Sequence, residues 1–528
     1  MPETAPFRPS WTSRRIAIGL GVAAAMAVLL TIDGPGITVD EPLDVRPGRN
    51  YVATLRAKGV RFFDRAVGDA VYRDNAEHPP LGRWLLGLAS TAFEPIEIIL
   101  RGGPDPTGTY VASGRVAPAL VFGLLVGLVA AEAGRRWGRG AGLVAGVGLA
   151  IMPRAFAHAH LGALDTFIAA AWAAALIAAA RAVESRRPSV LMALAGVAWG
   201  LALLTKIQAW FLPPIVLAWA VARLGPKRAF GPMVAWTGVG LATFVAGWPW
   251  LWHDTLARWS AYLGTGVERI SIRALYFGTA YADRDLPWHY PWVYFLATVP
   301  VGLQLLGGWG LIRGWRGRRA DPFPLLLAGS ILVFLAVFST NAPVYDGERL
   351  FLAAFPLWAI LIGLGFADLW GRAGRKARVG LAGLVLAQGY GVVALHPFGL
   401  SYYNALVGGL PGAERLGLEL TYWGDAVDRT LLDRLAAEAR AGEAAAMAPT
   451  LAPQQGAFST TRALARIPTV MADQDGAATA EWLVVSRREA YWPPAVRDRL
   501  GRDLVVERRA RQGVWLSCLL RARKNASP

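Results

Sequence analysis

The chain has 528 residues, with 54 Lys and Arg against 37 Asp and Glu, a net charge of +17, and 54% hydrophobic against only 17% charged residues. A soluble domain carries about 25% charge, so this composition excludes a string of water-coated globular domains and points to a polytopic helical membrane protein. The cations lie in short runs between apolar blocks, which is a positive-inside pattern rather than a nucleic-acid-binding stripe, and the single Cys518 excludes an intramolecular disulfide or a cysteine zinc cluster.

The N-terminal segment ends in Arg14-Arg15 and runs into an apolar block from about 16 to 30. It reads as a signal anchor with its N-terminus in the cytoplasm, with a cleaved signal peptide as the alternative. From 31 to 113 the chain is mixed in charge, Pro and Gly, the mark of a large first outer loop. Within it, LGRWLLGLASTAFEPIEIIL (81–100) has the pattern of an amphipathic helix lying along the membrane interface. Apolar blocks near 114–133, 140–153, 165–180, 189–204, 209–222, 230–248, 291–312, 323–339, 350–367 and 379–395 bring the predicted spans to eleven. Every second connector is basic, as at Arg135-Arg136, Arg186-Arg187, Lys227-Arg228 and Arg318-Arg319, which places the alternate connectors on the outer side. After His396-Pro397 the composition becomes that of a soluble protein. DRTLLDRLAAEARAG is predicted as a helix, and EWLVVSRREAYW and GVWLSCLLRAR as strands. The expected organisation is a membrane domain over 1–397 and a small outer α/β domain over 398–528.

The predicted outer side collects the distinctive polar residues: Asp40-Glu41, the stretch from Arg73 to His78, His158, His160, Asp165, Lys206, the tryptophans 248, 250 and 252, the run Asp346 to Arg349, and Tyr402 to Asn404. Carboxylates facing cations at a membrane boundary suit chemistry on a lipid-borne anion. Lys206 and Arg349 are placed to neutralise a phosphate, and Asp40 or Glu41 to act as general base. Each residue also has a plainer local role. Asp40-Glu41 reads equally as a solvated turn pair, His78 before two prolines as a rigid bend, and Lys206 and Arg349 as interfacial anchors. Asp165 reads as a helix cap, His158 and His160 as satisfied polar contacts rather than metal ligands, and the tryptophans as an aromatic belt. No GxxxxGKS, GxGxxG or GxSxG motif is present, which leaves a lipid-linked donor as the natural source of an activated group.

Taken in order, ITVDEP (37–42), HPPLGR (78–83), the helix opening at Arg115, the Pro153 to Asp165-Thr166 connector, GLALLTK (200–206) and ERLFLAAFP (348–356) resemble the dolichyl-phosphate-mannose-protein mannosyltransferase-like family. That family has bacterial relatives that include aminoarabinose transferases, within the GT-C superfamily of membrane glycosyltransferases. The resemblance covers about 15–400. It implies a GT-C fold and a transferase that moves a sugar from a polyprenyl-phosphate donor to an envelope acceptor on the outer face of the cell membrane, with inversion. It implies Asp40 as base with Glu41 beside it, and Lys206 and Arg349 on the departing phosphate. His78, Arg83, Arg115, Asp165 and Glu348 are then assigned to the donor phosphate or substrate. After Arg349 the chain reads LFLAAFP where the family commonly has a Tyr-and-Leu-Pro version. The acceptor stays open among glycolipid, polysaccharide and protein hydroxyl, and the loop at 249–290 is too short for the three-fold-repeat sugar-binding module of eukaryotic members. Some GT-C enzymes use a divalent ion, and no complete ligand set for one stands in this sequence. A transporter or flippase for a lipid-linked precursor is the alternative, although such proteins carry internal repeats and midplane polar residues that are not evident here.

Overall fold

The computed structural model describes residues 11–73, 78–105, 109–265, 270–449, 464, 467–472 and 478–523. Its first helix, α1 (Trp11–Leu29), is followed by α2 (Asp40–Lys58), α3 (Arg65–Val71) and α4 (Leu81–Arg101). The expected amphipathic helix is thus present as α4, which exposes Leu88, Ile96, Ile99 and Leu100 along one side. Helix α2 is a correction, because the sequence around Asp40-Glu41 reads as loop. Pro42 lies in the first turn, where a missing N–H costs little. The buried stripe of α2 includes Glu41 and Asp44 as well as Val45, Tyr51 and Val52, so its helical period is hidden from any purely apolar pattern. The two loop helices touch backbone to backbone: a Cβ on Gly48 would lie 2.1 Å from the Arg83 carbonyl oxygen, and one on Gly87 2.1 Å from Gly48.

Among the described residues six helices are long and apolar enough to cross a membrane: Val111–Trp137, Asp165–Val183, Ile207–Leu224, Pro226–Gly247, Ala354–Arg372 and Arg375–Leu395. Tyr290–Thr298 and Val301–Gly317 make a seventh if the pair, bent by 112° ahead of Val301, counts as one span. The expected eleven are therefore not reached. The blocks at 140–153, 189–204 and 323–339 fold as Arg139–Ala150, Pro188–Leu203 and Phe323–Val337, shorter than the ~20 residues that a ~30 Å hydrocarbon core requires. The tryptophan cluster is not a belt as a whole, because Trp248 is fully buried against Phe244 and Tyr262 while Trp252 is exposed.

The C-terminal sheet runs in the order β4-β3-β5-β7-β6, from β3 (Ala445–Ala448), β4 (Thr469–Met471), β5 (Trp482–Ser486), β6 (Leu504–Arg511) and β7 (Val514–Arg521). The first three are mutually parallel, and β7 is antiparallel to β5 and β6. Strand β5 is buried throughout: Trp482 and Val484 pack with Leu431 and Leu435 of helix Arg429–Glu438 on one face, and Leu483 and Val485 with Val496 on the other. A hairpin from β1 (Arg273–Tyr276) and β2 (Thr279–Ala282) leans on this region, its Gly278 N–H donating to Gly417 at 2.9 Å.

Candidate active site

Asp40 opens α2, and Asp165 opens the helix Asp165–Val183, so each carboxylate stands at a helix N-terminus, beside the positive end of the helix dipole. Lys206 sits in the extended break between Pro188–Leu203 and the 3-10 turn Ile207–Phe211. The first residue of α4 hydrogen-bonds to Leu204 at 2.9 Å, so the segment after His78 is tied to the segment that ends in Lys206. Arg349 follows a tight turn in which Asp346 and Gly347 both take positive φ, at 56° and 65°.

These four residues form one network. Lys206 Nζ donates to Asp165 Oδ1 at 2.6 Å, and Arg349 Nε to Asp165 Oδ2 at 3.3 Å. The Arg349 guanidinium also bonds Asp346 Oδ2 at 3.2 Å and Asp40 Oδ2. Asp165, Lys206, Arg349 and Asp346 are buried, whereas the Asp40 side chain is 22% exposed. Asp40 is thus the one carboxylate of the cluster that a ligand can reach. His78, ahead of α4, is half-buried. Burial, reinforced by the cations Arg83, Lys206 and Arg349, holds its pKa well below the usual imidazole range and keeps it neutral.

The remaining expected site residues form separate buried pairs. Glu41 is fully buried: Oε1 accepts from Arg115 Nε at 2.6 Å and Gly162 N–H at 2.8 Å, and Oε2 from Arg115 at 2.7 Å and Thr38 N–H at 2.8 Å. Arg115 spends its other donors on the carbonyls of Ile32, Pro35 and Gly36. Arg83 binds Asp44 at 2.9 Å and fastens α4 to α2. Burial, opposed by Arg83, raises the Asp44 pKa to about 6. Glu348 binds Arg154 at 2.5 Å and lies 3.5 Å from His158. His160 bonds Thr31 and the Phe156 carbonyl, both at 2.8 Å. Residues 74–77 of the stretch expected between Arg73 and His78 lie outside the described residues. Among the described residues no group of three or more His, Cys, Asp or Glu is gathered for a metal ion.

Two contributors escape sequence reading. Arg488, just past the end of β5, reaches into the helical region: it donates to Asp346 Oδ1 at 2.8 Å and to the Tyr422 carbonyl at 2.5 Å. Trp423 covers the Arg349 guanidinium at 4.1 Å, a cation–π contact. It belongs to a strap in which the Trp423 and Asp425 carbonyls accept from Val39 and Gly36 N–H at 3.2 and 2.7 Å, immediately before Asp40. Beneath Arg488, Glu419 is buried, and desolvation lifts its pKa to about 8. The charged SRRE run after an apolar strand is the one sequence sign of Arg488, and it does not say what the arginine meets.

Residues 77–253 match the sequence model of the dolichyl-phosphate-mannose-protein mannosyltransferase family, which bears out the resemblance read from the motifs. No curated protein matches the chain in sequence. Its fold is similar to that of ArnT from Cupriavidus metallidurans in the apo state, with a TM-score of 0.54 at 15% identity over 95% of this chain and 97% of that one. ArnT bound to undecaprenyl phosphate gives a TM-score of 0.52 at 17% identity, with the same coverage. The oligosaccharyltransferase of Archaeoglobus fulgidus lies further off, at 0.46 and 12% identity over 90% of this chain and 70% of that one.

Proposed function

We propose that this chain is an integral membrane glycosyltransferase that takes a sugar from a polyprenyl-phosphate donor and passes it to a hydroxyl of an envelope glycolipid, polysaccharide or protein. The observation that carries this reading is a single reachable carboxylate, Asp40, set against two buried cations that share Asp165. The polyprenyl phosphate held by the fold relative ArnT supports the donor class. The basic connectors support a topology with the N-terminus in the cytoplasm and this cluster on the outer side.

In the proposed reaction the donor phosphate enters beside Lys206 and Arg349. Lys206 uses one of its three donors on Asp165, which leaves ammonium hydrogens for a phosphate oxygen. The phosphate takes over the Arg349 guanidinium face now engaged by Asp40, and so frees that carboxylate. Asp40 then removes the proton of the acceptor hydroxyl while its oxygen attacks the anomeric carbon. The bond from that carbon to the phosphate oxygen breaks on the opposite face, its electron pair leaving with polyprenyl phosphate, and the configuration inverts. Asp165 and Asp346 hold the cations in place throughout. His78, neutral in this field, neither carries the proton nor repels the donor. Glu41 acts through structure: with four hydrogen bonds and no exposure, it anchors the first turn that presents Asp40.

The test is release of polyprenyl phosphate from a panel of polyprenyl-phosphate sugars by the purified full chain, wild type beside Asp40→Asn. One donor turned over and lost in the variant is the expected result. Equal turnover by both proteins would remove Asp40 as base, and silence from folded protein across the panel would sink the reading.

A further inference from the structure

Arg349 owes its place to the turn ahead of it, and that turn is strained. Asp346 and Gly347 are consecutive residues at positive φ, 56° and 65°, and the Cβ of an aspartate is disfavoured in the left-handed region. Such a conformation persists only where its surroundings over-determine it. Here those surroundings come from distant parts of the chain. The Val344 N–H donates to the Asp283 carbonyl at 2.9 Å, which fixes the entry to the turn just past β2. Arg488 and Arg349 divide the two Asp346 oxygens between them, and Arg154 holds Glu348. At the apex, the Gly347 N–H donates to the Tyr290 hydroxyl oxygen at 2.9 Å. Of these contacts, only the one from Tyr290 grips the peptide that joins the two positive-φ residues.

Tyr290 opens the helix Tyr290–Thr298 and is fully buried. Its ring packs between Tyr276 and Tyr294, with centroids 5.1 and 4.5 Å away, so its hydroxyl meets Gly347 from a fixed platform. Gly347 has little room to move. A Cβ built on it would lie 2.7 Å from Arg154 Nη1 and 3.2 Å from the Tyr294 ring. Because Gly347 is buried, its N–H depends on the phenol as acceptor. We propose that Tyr290 is a positioning residue for the transfer reaction: its hydroxyl pins the Asp346-Gly347 peptide and thereby aims the Arg349 guanidinium at the donor phosphate. This role rests on the assignment of Arg349 to that phosphate. Tyr290 acts through Arg349 and touches no ligand itself. Negative charge gathers on the departing phosphate in the transition state, so a misaimed Arg349 lowers kcat more than it raises KM.

The test sets Tyr290→Phe beside the wild type and Tyr276→Phe, as purified full chains supplied with the polyprenyl-phosphate sugar that the wild type turns over. Tyr276 belongs to the same aromatic group, but its hydroxyl bonds His289 Nδ1 at 2.6 Å instead of the turn. Each variant keeps its ring and loses one buried hydrogen bond, so both are expected to fold with similar, modestly lowered thermal midpoints. Turnover is read well below those midpoints. Tyr290→Phe is expected to lower kcat about tenfold while KM changes by less than about twofold. Tyr276→Phe is expected to keep both constants near wild type. An unaltered kcat in Tyr290→Phe, a loss carried by KM alone, or an equal loss in Tyr276→Phe would each overturn the positioning role and leave Arg349 where it stands. Folded wild-type protein that turns over no donor would overturn the reading of Arg349 and the role of Tyr290 with it.

Discussion

Asp40 and Glu41 are neighbours on one helix turn, and both pair with an arginine. There the likeness ends. Glu41 is rotated by about 100° around α2 into a closed clamp, where Arg115 and two backbone N–H groups saturate both oxygens and no surface remains. Asp40 shares Arg349 with Asp165 and Asp346 and keeps 22% of its side chain exposed. A carboxylate whose lone pairs are all engaged cannot take a proton without breaking the fold around it. One that holds a single, shared partner can exchange it for a ligand. The two residues thus separate structural from chemical use of the same functional group.

The sharpest way to break this comparison is to remove each carboxylate's charge in turn. Asp40→Asn is expected to lower donor turnover by about 10²–10⁴-fold with little change in the thermal midpoint, read by polyprenyl phosphate release and by unfolding scans on one preparation. Glu41→Gln does the reverse. It leaves Arg115 buried without a counter-ion, a loss of about 3–5 kcal/mol, seen as a fall in the thermal midpoint and in the yield of folded protein. A stable Glu41→Gln protein with Asp40→Asn-like inactivity would exchange the two roles.

Arg488 sharpens the comparison from the other end of the chain, since it steadies Asp346 and through it Arg349. Arg488→Gln is expected to cost about tenfold in turnover, roughly 1.4 kcal/mol, falling on kcat more than on KM. An unaltered kcat would confine Arg488 to holding the sheet in place. The smallest effect expected is one of pH. The Glu419 carboxyl titrates at about 8 in the folded chain against about 4.5 when free, so between those values the folded state binds more protons than the unfolded state. Stability then falls as pH rises through that window, by about 2–4 °C in midpoint. Glu419→Gln should flatten the fall, and an unchanged slope would assign it to other groups.

Much of the scaffold was legible in the residues. The apolar blocks mark the helices, the amphipathic period marks α4, and short continuous apolar runs mark β5 and β7. The family motifs singled out Asp40, Lys206 and Arg349, and the fold brings all three into one network. Arg83 and Arg115 were grouped with the donor site by their motifs, yet they face carboxylates inside α2's packing. The eleven expected spans are not confirmed, because an apolar run fixes burial and not length across a bilayer.

Periodicity, charge runs and motif order are local quantities, and they determined the membrane character, the helices and the sheet segment. Partner choice is not local. Arg349 and Asp40 are 309 residues apart and Arg488 and Asp346 are 142 apart, so only the packed chain decides which carboxylate is sealed and which stays open. Burial sets that difference, because desolvation forces every enclosed charge to find a partner and leaves freedom only where the fold keeps a path to the outside.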